Sequence, residues 1–100
     1  MVVDFHPEAT VELAESADWY AERSSVAARD FLVAVDLVIS SIVADPDRFA
    51  KIDELHRSCS VARFPFQIVF RHDKSRVLIV AVAHAKRRPG FWSQRSAKVQ

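Results

Sequence analysis

The segment from Val77 to Ala83 constrains the fold of this chain most, because all seven of its residues are apolar. A strand with one face in water alternates apolar and polar side chains, whereas this segment has no side chain suited to water. We therefore predict a central strand from Arg76 to Ala83 that is covered on both faces.

Three other segments have strand patterns. Val2 to Phe5 is a short extended start, and residues Val61 to Phe64 and Phe66 to Arg71 are rich in β-branched and aromatic side chains. Pro65 lies between the last two, and because proline interrupts a strand we predict two strands there. The turn residues from His72 to Ser75 predict a hairpin that leads into the central strand.

Residues 7 to 44 have helical spacing instead. A first helix is predicted from Pro7 to about Arg23, with the apolar stripe Ala9, Leu13, Ala17 and Tyr20. A second is predicted from about Ser25 to Ala44, where Asp45-Pro46 stops it. Its stripe is Phe31, Val35, Val38, Ile39 and Ile42, widened by Ala28 and Leu32. The short Ser24-Ser25 connection predicts an antiparallel helical hairpin.

The predicted order is therefore strand, helix, helix, strand, strand, strand. This order is typical of an α+β fold, in which a helical hairpin packs on one face of a mostly antiparallel four-stranded sheet. The opposite face of the sheet is expected to be open. One hundred residues suffice for a single domain, which we expect over residues 1–95, with residues 96–100 as a flexible tail.

Composition excludes several classes of site. The single cysteine, Cys59, cannot form an internal disulfide or a zinc site built on paired cysteines, and the single glycine, Gly90, excludes a glycine-rich phosphate loop. The four histidines are scattered without ligand spacing, so we expect no metal and no cofactor. No apolar run approaches the roughly 18 residues of a membrane span, and no signal segment opens the sequence. A cytoplasmic protein without membrane contact is the resulting expectation.

Charge is distributed unevenly along the chain. Residues 1–50 contain three Lys or Arg and ten Asp or Glu, a formal charge of −7, whereas residues 51–100 contain eleven and three, a formal charge of +8. If the two halves form different faces, the basic one should attract phosphates or an acidic protein segment. Alternatively, the two halves simply attract each other.

Basic and aromatic side chains follow the predicted strands. We expect them to gather into one docking patch around the open face; the candidate binding residues are Arg57, Arg63, Arg71, His84, Arg87, Arg88, Trp92 and Arg95, with Lys86 and Phe91 beside them. Guanidinium groups bind phosphate and flat rings stack on bases, which suits nucleic acid. The same mixture suits an acidic, apolar peptide, and it also occurs on ordinary solvated surfaces.

Three residues have both a structural and a functional interpretation. His84 could act as a general acid or base at the end of the central strand, but we favour a structural role that anchors the strand end. Trp19 is expected to pack beneath the second helix. Cys59 is expected at an ordinary strand position and not as a nucleophile.

Several short motifs together resemble the ParE branch of the RelE/ParE toxin superfamily of bacterial toxin–antitoxin systems. The resemblance extends from residue 5 to residue 95. It depends on the order and spacing of His6-Pro7-Glu8-Ala9, Trp19-Tyr20, Asp45-Pro46, Arg63-Phe64-Pro65-Phe66, Ala83-His84, Arg87-Arg88-Pro89 and Trp92-Ser93-Gln94-Arg95.

The resemblance implies a cytoplasmic toxin that forms a hetero-oligomer with a cognate antitoxin, whose acidic, amphipathic C-terminal segment folds over it. ParE-like members act on DNA gyrase, whereas RelE-like relatives cut messenger RNA on the ribosome. Tyr20 is the only tyrosine, and neither Phe91 nor Trp92 can transfer a proton. We therefore predict a gyrase inhibitor that acts by binding and is not an enzyme. The alternatives are a ribosome-dependent endoribonuclease that uses His84, Arg87 and Arg63, or a member that has lost toxicity.

Overall fold

A computed structural model describes residues 1–95 of the chain. The strands are β1 (Val2–Phe5), β2 (Arg57–Ser60), β3 (Phe66–His72) and β4 (Arg76–His84), and the helices are α1 (Pro7–Ala21), α2 (Ser25–Ala44) and a short 3-10 helix (Pro46–Arg48). The predicted α+β fold and the order β-α-α-β-β-β are confirmed. The flexible tail predicted for residues 96–100 lies outside the described residues. No helix in the described part is long and apolar enough to cross a membrane.

The four strands form one mixed sheet in the order β1-β4-β3-β2. β1 runs parallel to β4, while the β4/β3 and β3/β2 pairs are antiparallel. β4 therefore lies inside the sheet, and its residues Val77 and Ile79 to Ala81 are fully buried. The apolar run from Val77 to Ala83 predicted this position correctly.

Both helices begin with a capping side chain. Nδ1 of His6 accepts a 3.1 Å hydrogen bond from the backbone N–H of Glu8, and Oγ of Ser24 accepts one of 3.2 Å from that of Ala27. Such bonds satisfy backbone donors that have no partner within the helix. α2 ends before Pro46, as predicted, because the residue preceding a proline avoids the helical region.

The helical hairpin packs on one face of the sheet and forms the main core. Both predicted stripes are confirmed, since Ala9 of α1 and Phe31, Val35, Val38 and Ile42 of α2 are buried there, with Leu13, Ala17, Tyr20 and Ile39 packed against them. Leu32 was expected to widen the second stripe, but it is 42% exposed. It lies one position beyond Phe31, about 100° around the helix, and so faces away from the sheet.

A β-bulge in β4 places two successive apolar side chains on the second face of the sheet. Val69 pairs with Ala81 and Phe70 pairs with Ile79, which leaves Val80 as the extra residue. Val80 and Ala81 both join a second cluster with Val69, while Val82 returns to the main core. The bulge thereby lets β4 pack on both faces.

The second face is covered, so the prediction that both faces of the central strand are buried is confirmed, and the expectation of an open face is wrong. Trp92 is 8% exposed and packs in the second cluster with Leu78, Val80 and Ala81, while Phe91 lies partly buried beside it. The segment after β4 therefore folds back over the sheet. The physical reason is the apolar second face of β4, whose burial against Trp92 is favourable.

The strand predicted from Val61 to Phe64 is wrong. The second strand is Arg57–Ser60, and the predicted segment is a turn in which the N–H of Phe64 bonds to the carbonyl of Val61 at 3.2 Å. Arg63 there has a φ of 71°, in the left-handed region. The turn directs Val61, Phe64 and Phe66 all into the main core, which a regular alternating strand could not do.

Candidate binding surfaces

A buried ion pair joins α1 to the end of the described chain. Glu12 accepts two hydrogen bonds from the guanidinium of Arg95, one of 2.9 Å at Oε1 and one of 2.7 Å at Oε2. The two side chains are only 11% and 8% exposed. The hydrogen bonds from Arg95 to Glu12 raise the pKa of that guanidinium, which therefore keeps its positive charge although it is buried.

The same two side chains bond to the backbone of β4. Oε1 of Glu12 accepts a 3.0 Å hydrogen bond from the N–H of Val82, and Nη1 of Arg95 donates a 3.2 Å bond to the carbonyl of Val80. Buried backbone groups need partners, and here side chains supply them. Glu12 and Arg95 therefore fix the C-terminal segment to the edge of the sheet.

A basic corner projects beyond this ion pair. We use the name C-terminal corner for His84, Lys86, Arg87, Arg88 and Phe91. The guanidinium of Arg87 lies 3.8 Å from the centre of the Phe91 ring and 3.5 Å from Oε2 of Glu12. Lys86 and Arg88 are exposed and take part in none of the ion pairs found among residues 1–95. Two cations of the corner are thus free to bind a partner.

His84 connects the C-terminal corner to the core. Its imidazole contacts the ring of Phe66 edge-on at 5.0 Å between centroids, and its Nδ1 accepts a 3.0 Å hydrogen bond from the N–H of Lys86. The chain turns directly after β4, and this hydrogen bond stabilises the turn. The contacts agree with the structural role that we favoured for His84.

A first groove, which we call the edge groove, runs between α1 and the end of β4. It has a volume of about 460 Å³, and its lining includes Trp19, Tyr20, Phe66, Val82 and His84. Trp19 is 51% exposed and was expected to be packed beneath α2, which is wrong. The guanidinium of Arg23 covers one of its faces at 3.5 Å, which stabilises the ring at the surface.

A second groove, which we call the helix groove, runs between α2 and β2. It has a volume of about 440 Å³, and its lining includes Val33, Leu37, Phe64, Arg48 and Arg63. Val33 and Leu37 are 52% and 65% exposed, so α2 presents an apolar stripe to solvent there. Cys59 also lines this groove, and burial raises the pKa of its thiol, which makes it a poor nucleophile.

Comparison with known proteins places the chain in a family. The family model described as "ParE toxin of type II toxin-antitoxin system, parDE" matches residues 3–89. The chain belongs to the ParE toxin family. A solved structure titled "Chromosomal ParDE TA system from P. aeruginosa" is similar in fold, with a TM-score of 0.62 and 17% sequence identity over 86% of this chain and 97% of that one. None of the curated proteins compared matches the chain.

The candidate binding residues of this ParE-family chain do not form the single patch that we expected. Four of them do lie together, since His84, Arg87, Arg88 and Trp92 all line a cavity of about 560 Å³, and His84 and Arg87 also line the edge groove. Arg63 lies in the helix groove. The described part of the chain therefore carries one group of these residues at the C-terminal corner, and the others lie elsewhere.

Two of the expected binding arginines are engaged within the protein. Arg95 is buried against Glu12, and Nη1 of Arg57 donates to the backbone carbonyls of Asp47 at 3.1 Å and Phe49 at 2.7 Å. Most ion pairs in residues 1–95 join the acidic half to the basic half, including those of Arg76 with Asp4 and of Arg57 with Asp47. Attraction between the halves therefore accounts for much of the charge asymmetry.

Arg71 belongs neither with the residues that line the two grooves nor with the arginines that are engaged within the protein. It lies on β3 opposite Leu78, and its Nη1 is buried with no hydrogen-bond partner in the part of the chain that the structure describes. The cavity beside it, of about 130 Å³, is also lined by His72 and Arg76. Arg71 is therefore separate from the C-terminal corner in its surroundings as well as in sequence.

Two important polar residues were not predicted from the sequence. Neither Glu12 nor Asp53 was singled out. Asp53 accepts hydrogen bonds from the N–H groups of Leu55 and His56 and contacts Nδ1 of buried His56, whose ring lies 4.7 Å from that of Trp92. The available sequence signal for Glu12 was its four-residue spacing from Glu8. For Asp53 it was the Asp53-x-x-His56 spacing.

Proposed function

We propose that this chain is a cytoplasmic toxin that inhibits DNA gyrase by binding it, without chemistry of its own, and that a cognate antitoxin neutralises it. Membership of the ParE toxin family supports the toxin role. The C-terminal corner supports the mode of action, since it presents exposed cations beside aromatic rings on a rigid base. Such a surface can bind a protein that itself holds DNA.

The observation that carries this proposal is the way the C-terminal corner is fixed. Trp92 anchors it to the second face, and Arg95 anchors it to Glu12. A fixed surface loses little conformational freedom when it binds, so more of the interaction energy becomes affinity. Lys86 and Arg88 remain exposed on this base and would make the first contacts with the target.

The side chains at the corner favour binding over catalysis. Nδ1 of His84 already accepts a backbone hydrogen bond, and the ring of Tyr20 lies within about 5.2 Å of both Phe31 and Phe64, in the core. A nuclease needs groups that transfer protons at the scissile phosphate. The described residues offer only His84 for this role at the corner.

A RelE-type endoribonuclease is the second candidate, because His84 and Arg87 line the same edge groove. The third residue of that hypothesis, Arg63, lines the helix groove instead. The alternative therefore depends on His84 and Arg87 alone. His84→Ala should then abolish most toxicity, because general acid–base help contributes roughly 10²–10⁴-fold to a rate.

The helix groove is the proposed docking site for the acidic, amphipathic segment of the antitoxin. Val33 and Leu37 offer an apolar stripe, and Arg48 and Arg63 flank it with positive charge. Burial of apolar area supplies affinity, while opposite charges accelerate the encounter. To neutralise the toxin, the antitoxin that binds this groove must also cover the C-terminal corner, where the target would bind.

Controlled expression of the chain without the antitoxin tests the mode of action. DNA breaks and protein synthesis are followed side by side in the same culture. The proposal predicts DNA breaks before any loss of translation, and the same result for His84→Ala. Early loss of translation that disappears in His84→Ala would support the endoribonuclease instead, and no growth arrest would indicate a member without toxicity.

A further inference from the structure

The edge of β4 is only partly covered by β1. β1 ends at Phe5, and the last bond along this edge is the 2.9 Å hydrogen bond from the N–H of His6 to the carbonyl of Ile79. The chain then leaves the sheet to enter α1 at Pro7. From Val80 to His84, β4 therefore has a strand neighbour on its β3 side only.

Side chains form hydrogen bonds with the backbone groups in the first part of this exposed edge. The carbonyl of Val80 accepts from Arg95 and the N–H of Val82 donates to Glu12, at the positions where a longer β1 would have paired. The ion pair thus replaces a strand over these two residues. This replacement ends at the N–H of Val82.

The next two backbone groups along the edge have no such replacement. The hydrogen bond of 2.8 Å from the N–H of Ala85 to the carbonyl of Pro65 shows that His84 and Phe66 form a non-hydrogen-bonded pair. The N–H of His84 and the carbonyl of Val82 therefore point away from β3, toward the edge groove. Within residues 1–95, neither group bonds to another residue.

The walls of the edge groove suit apolar side chains. Trp19, half-exposed, and Tyr20 form the α1 side, and Phe66 and Val82 form the sheet side. Lys86 and Arg87 lie at the end of the groove, just beyond His84. The groove therefore combines an unpaired backbone edge, an aromatic wall and a basic end.

We propose that the edge groove binds an extended stretch of the antitoxin that runs parallel to β4, in line with β1. This inference rests on the proposed function, since it names the partner segment for a chain that an antitoxin neutralises. One residue of the stretch would donate its N–H to the carbonyl of Val82 and accept from the N–H of His84. This pattern is the parallel bridge that an added strand forms.

The bridge also predicts the composition of the stretch. The bridging residue would lie opposite Ala83, so the residues on either side of it face α1, as Val82 and His84 do. At least one of them should be large and apolar, because it would lie against Trp19. An acidic residue should follow toward the C-terminus, where Lys86 and Arg87 lie.

The two grooves are lined by consecutive residues of one short segment. Phe64 lines the helix groove, and the next two residues, Pro65 and Phe66, line the edge groove. One antitoxin segment can therefore occupy both, first as a helix on α2 and then as a strand beside β4. Its acidic end would cover Arg87 and so obstruct the C-terminal corner.

The test compares His84→Pro with His84→Ala in binding to the cognate antitoxin, which is purified as the full chain. Proline removes the donor N–H and is tolerated at an unpaired strand edge, whereas alanine removes only the imidazole. We expect His84→Pro to bind about tenfold more weakly than His84→Ala. Equal affinities of two folded variants would overturn the inference.

Hydrogen exchange of the wild-type chain gives an answer that does not depend on the folding of His84→Pro. The amide of His84 should exchange more slowly in the antitoxin complex, and that of Lys74, in the hairpin turn, should not change. A complex that forms without protecting His84 overturns this inference and leaves the proposed function standing. An antitoxin that does not bind the wild-type chain overturns the proposed function, and the inference with it.

Discussion

Glu12 and Arg95 are 83 positions apart in sequence and form two hydrogen bonds, of 2.9 and 2.7 Å, inside the protein. Each also bonds to the backbone of β4, so two side chains pair the first part of a sheet edge that β1 leaves uncovered. Replacement of one partner would leave the charge of the other buried and unpaired. The C-terminal segment is thus part of the folded structure.

Glu12→Gln should lower the free energy of unfolding by about 3 kcal/mol, since it breaks a buried ion pair while leaving an acceptor for the N–H of Val82. Denaturation by urea measures this change. Glu15→Gln is the matched control, because Glu15 is exposed on the same helix and should change stability by less than about 0.5 kcal/mol. Equal stability of the two variants would show that the pair contributes nothing.

Trp92→Ala should destabilise the protein by about 3 kcal/mol, since it removes the side chain that covers the second face of the sheet. Trp19→Ala, at the half-exposed tryptophan, should cost much less. Urea denaturation of the two variants distinguishes them. If Trp19→Ala were the more damaging change, Trp92 would not be the anchor of the C-terminal segment.

Much of the fold could be predicted because it depends on local periodicity. The stripe from Ala9 to Tyr20, the stripe from Phe31 to Ile42 and the apolar run of β4 each show one dominant spacing. These patterns predicted both helices, the strand order along the chain and the central position of β4. The hairpin turn before Arg76 followed from its residue types.

The predictions that failed concern features that depend on contacts between residues distant in sequence. Arg95 and Trp92 lie in a basic, aromatic segment that suggests a surface, and only the apolar second face of β4 explains why Trp92 is buried. Likewise, the turn at Arg63 follows from the need to place three apolar side chains in one core. No local spacing contains this information, so the predicted docking patch included residues such as Arg63, which lies in the helix groove, and Arg95, which is buried.

Arg63→Gly should separate folding from antitoxin binding. A φ of 71° is costly for arginine and not for glycine, so the variant should be as stable as the wild type or more stable by up to about 1 kcal/mol. Affinity for the antitoxin should fall, because Arg63 flanks the helix groove. Thermal unfolding and calorimetry measure the two effects. Unchanged affinity would exclude Arg63 from the docking site.

Asp53 should make stability depend on pH in the acid range. Burial opposes its ionisation, yet hydrogen bonds from Leu55 and His56 outweigh burial and lower the pKa of its carboxyl below the usual 3.8. A carboxyl whose pKa is lower in the folded state stabilises the protein above about pH 4, and this contribution disappears as the pH falls through the lowered pKa.

Asp53→Asn should therefore unfold at a lower temperature than the wild type at pH 7, and the difference should shrink toward pH 2. Thermal unfolding across this pH range measures it. The hydrogen bonds to Leu55 and His56 are the stated cause, so a difference that stays constant with pH would contradict their effect on the carboxyl.

Charge reversal at one exposed arginine tests the role of the C-terminal corner in binding. Arg88→Glu should slow association with the target, since it reverses an exposed charge that has no acidic partner among residues 1–95. Arg57→Gln would be a poor comparison, because Arg57 bonds to the backbone at Asp47 and Phe49. Lys74→Glu, in the hairpin turn, reverses one charge elsewhere and should leave the association rate unchanged.

The supercoiling and DNA-cleavage activities of purified gyrase are the decisive test of inhibition by binding. We predict that the toxin at micromolar concentration inhibits supercoiling and accumulates cleaved DNA, that His84→Ala does the same, and that Arg88→Glu is weaker. Gyrase activities that stay unchanged at micromolar concentrations of the folded wild-type chain would contradict the claim.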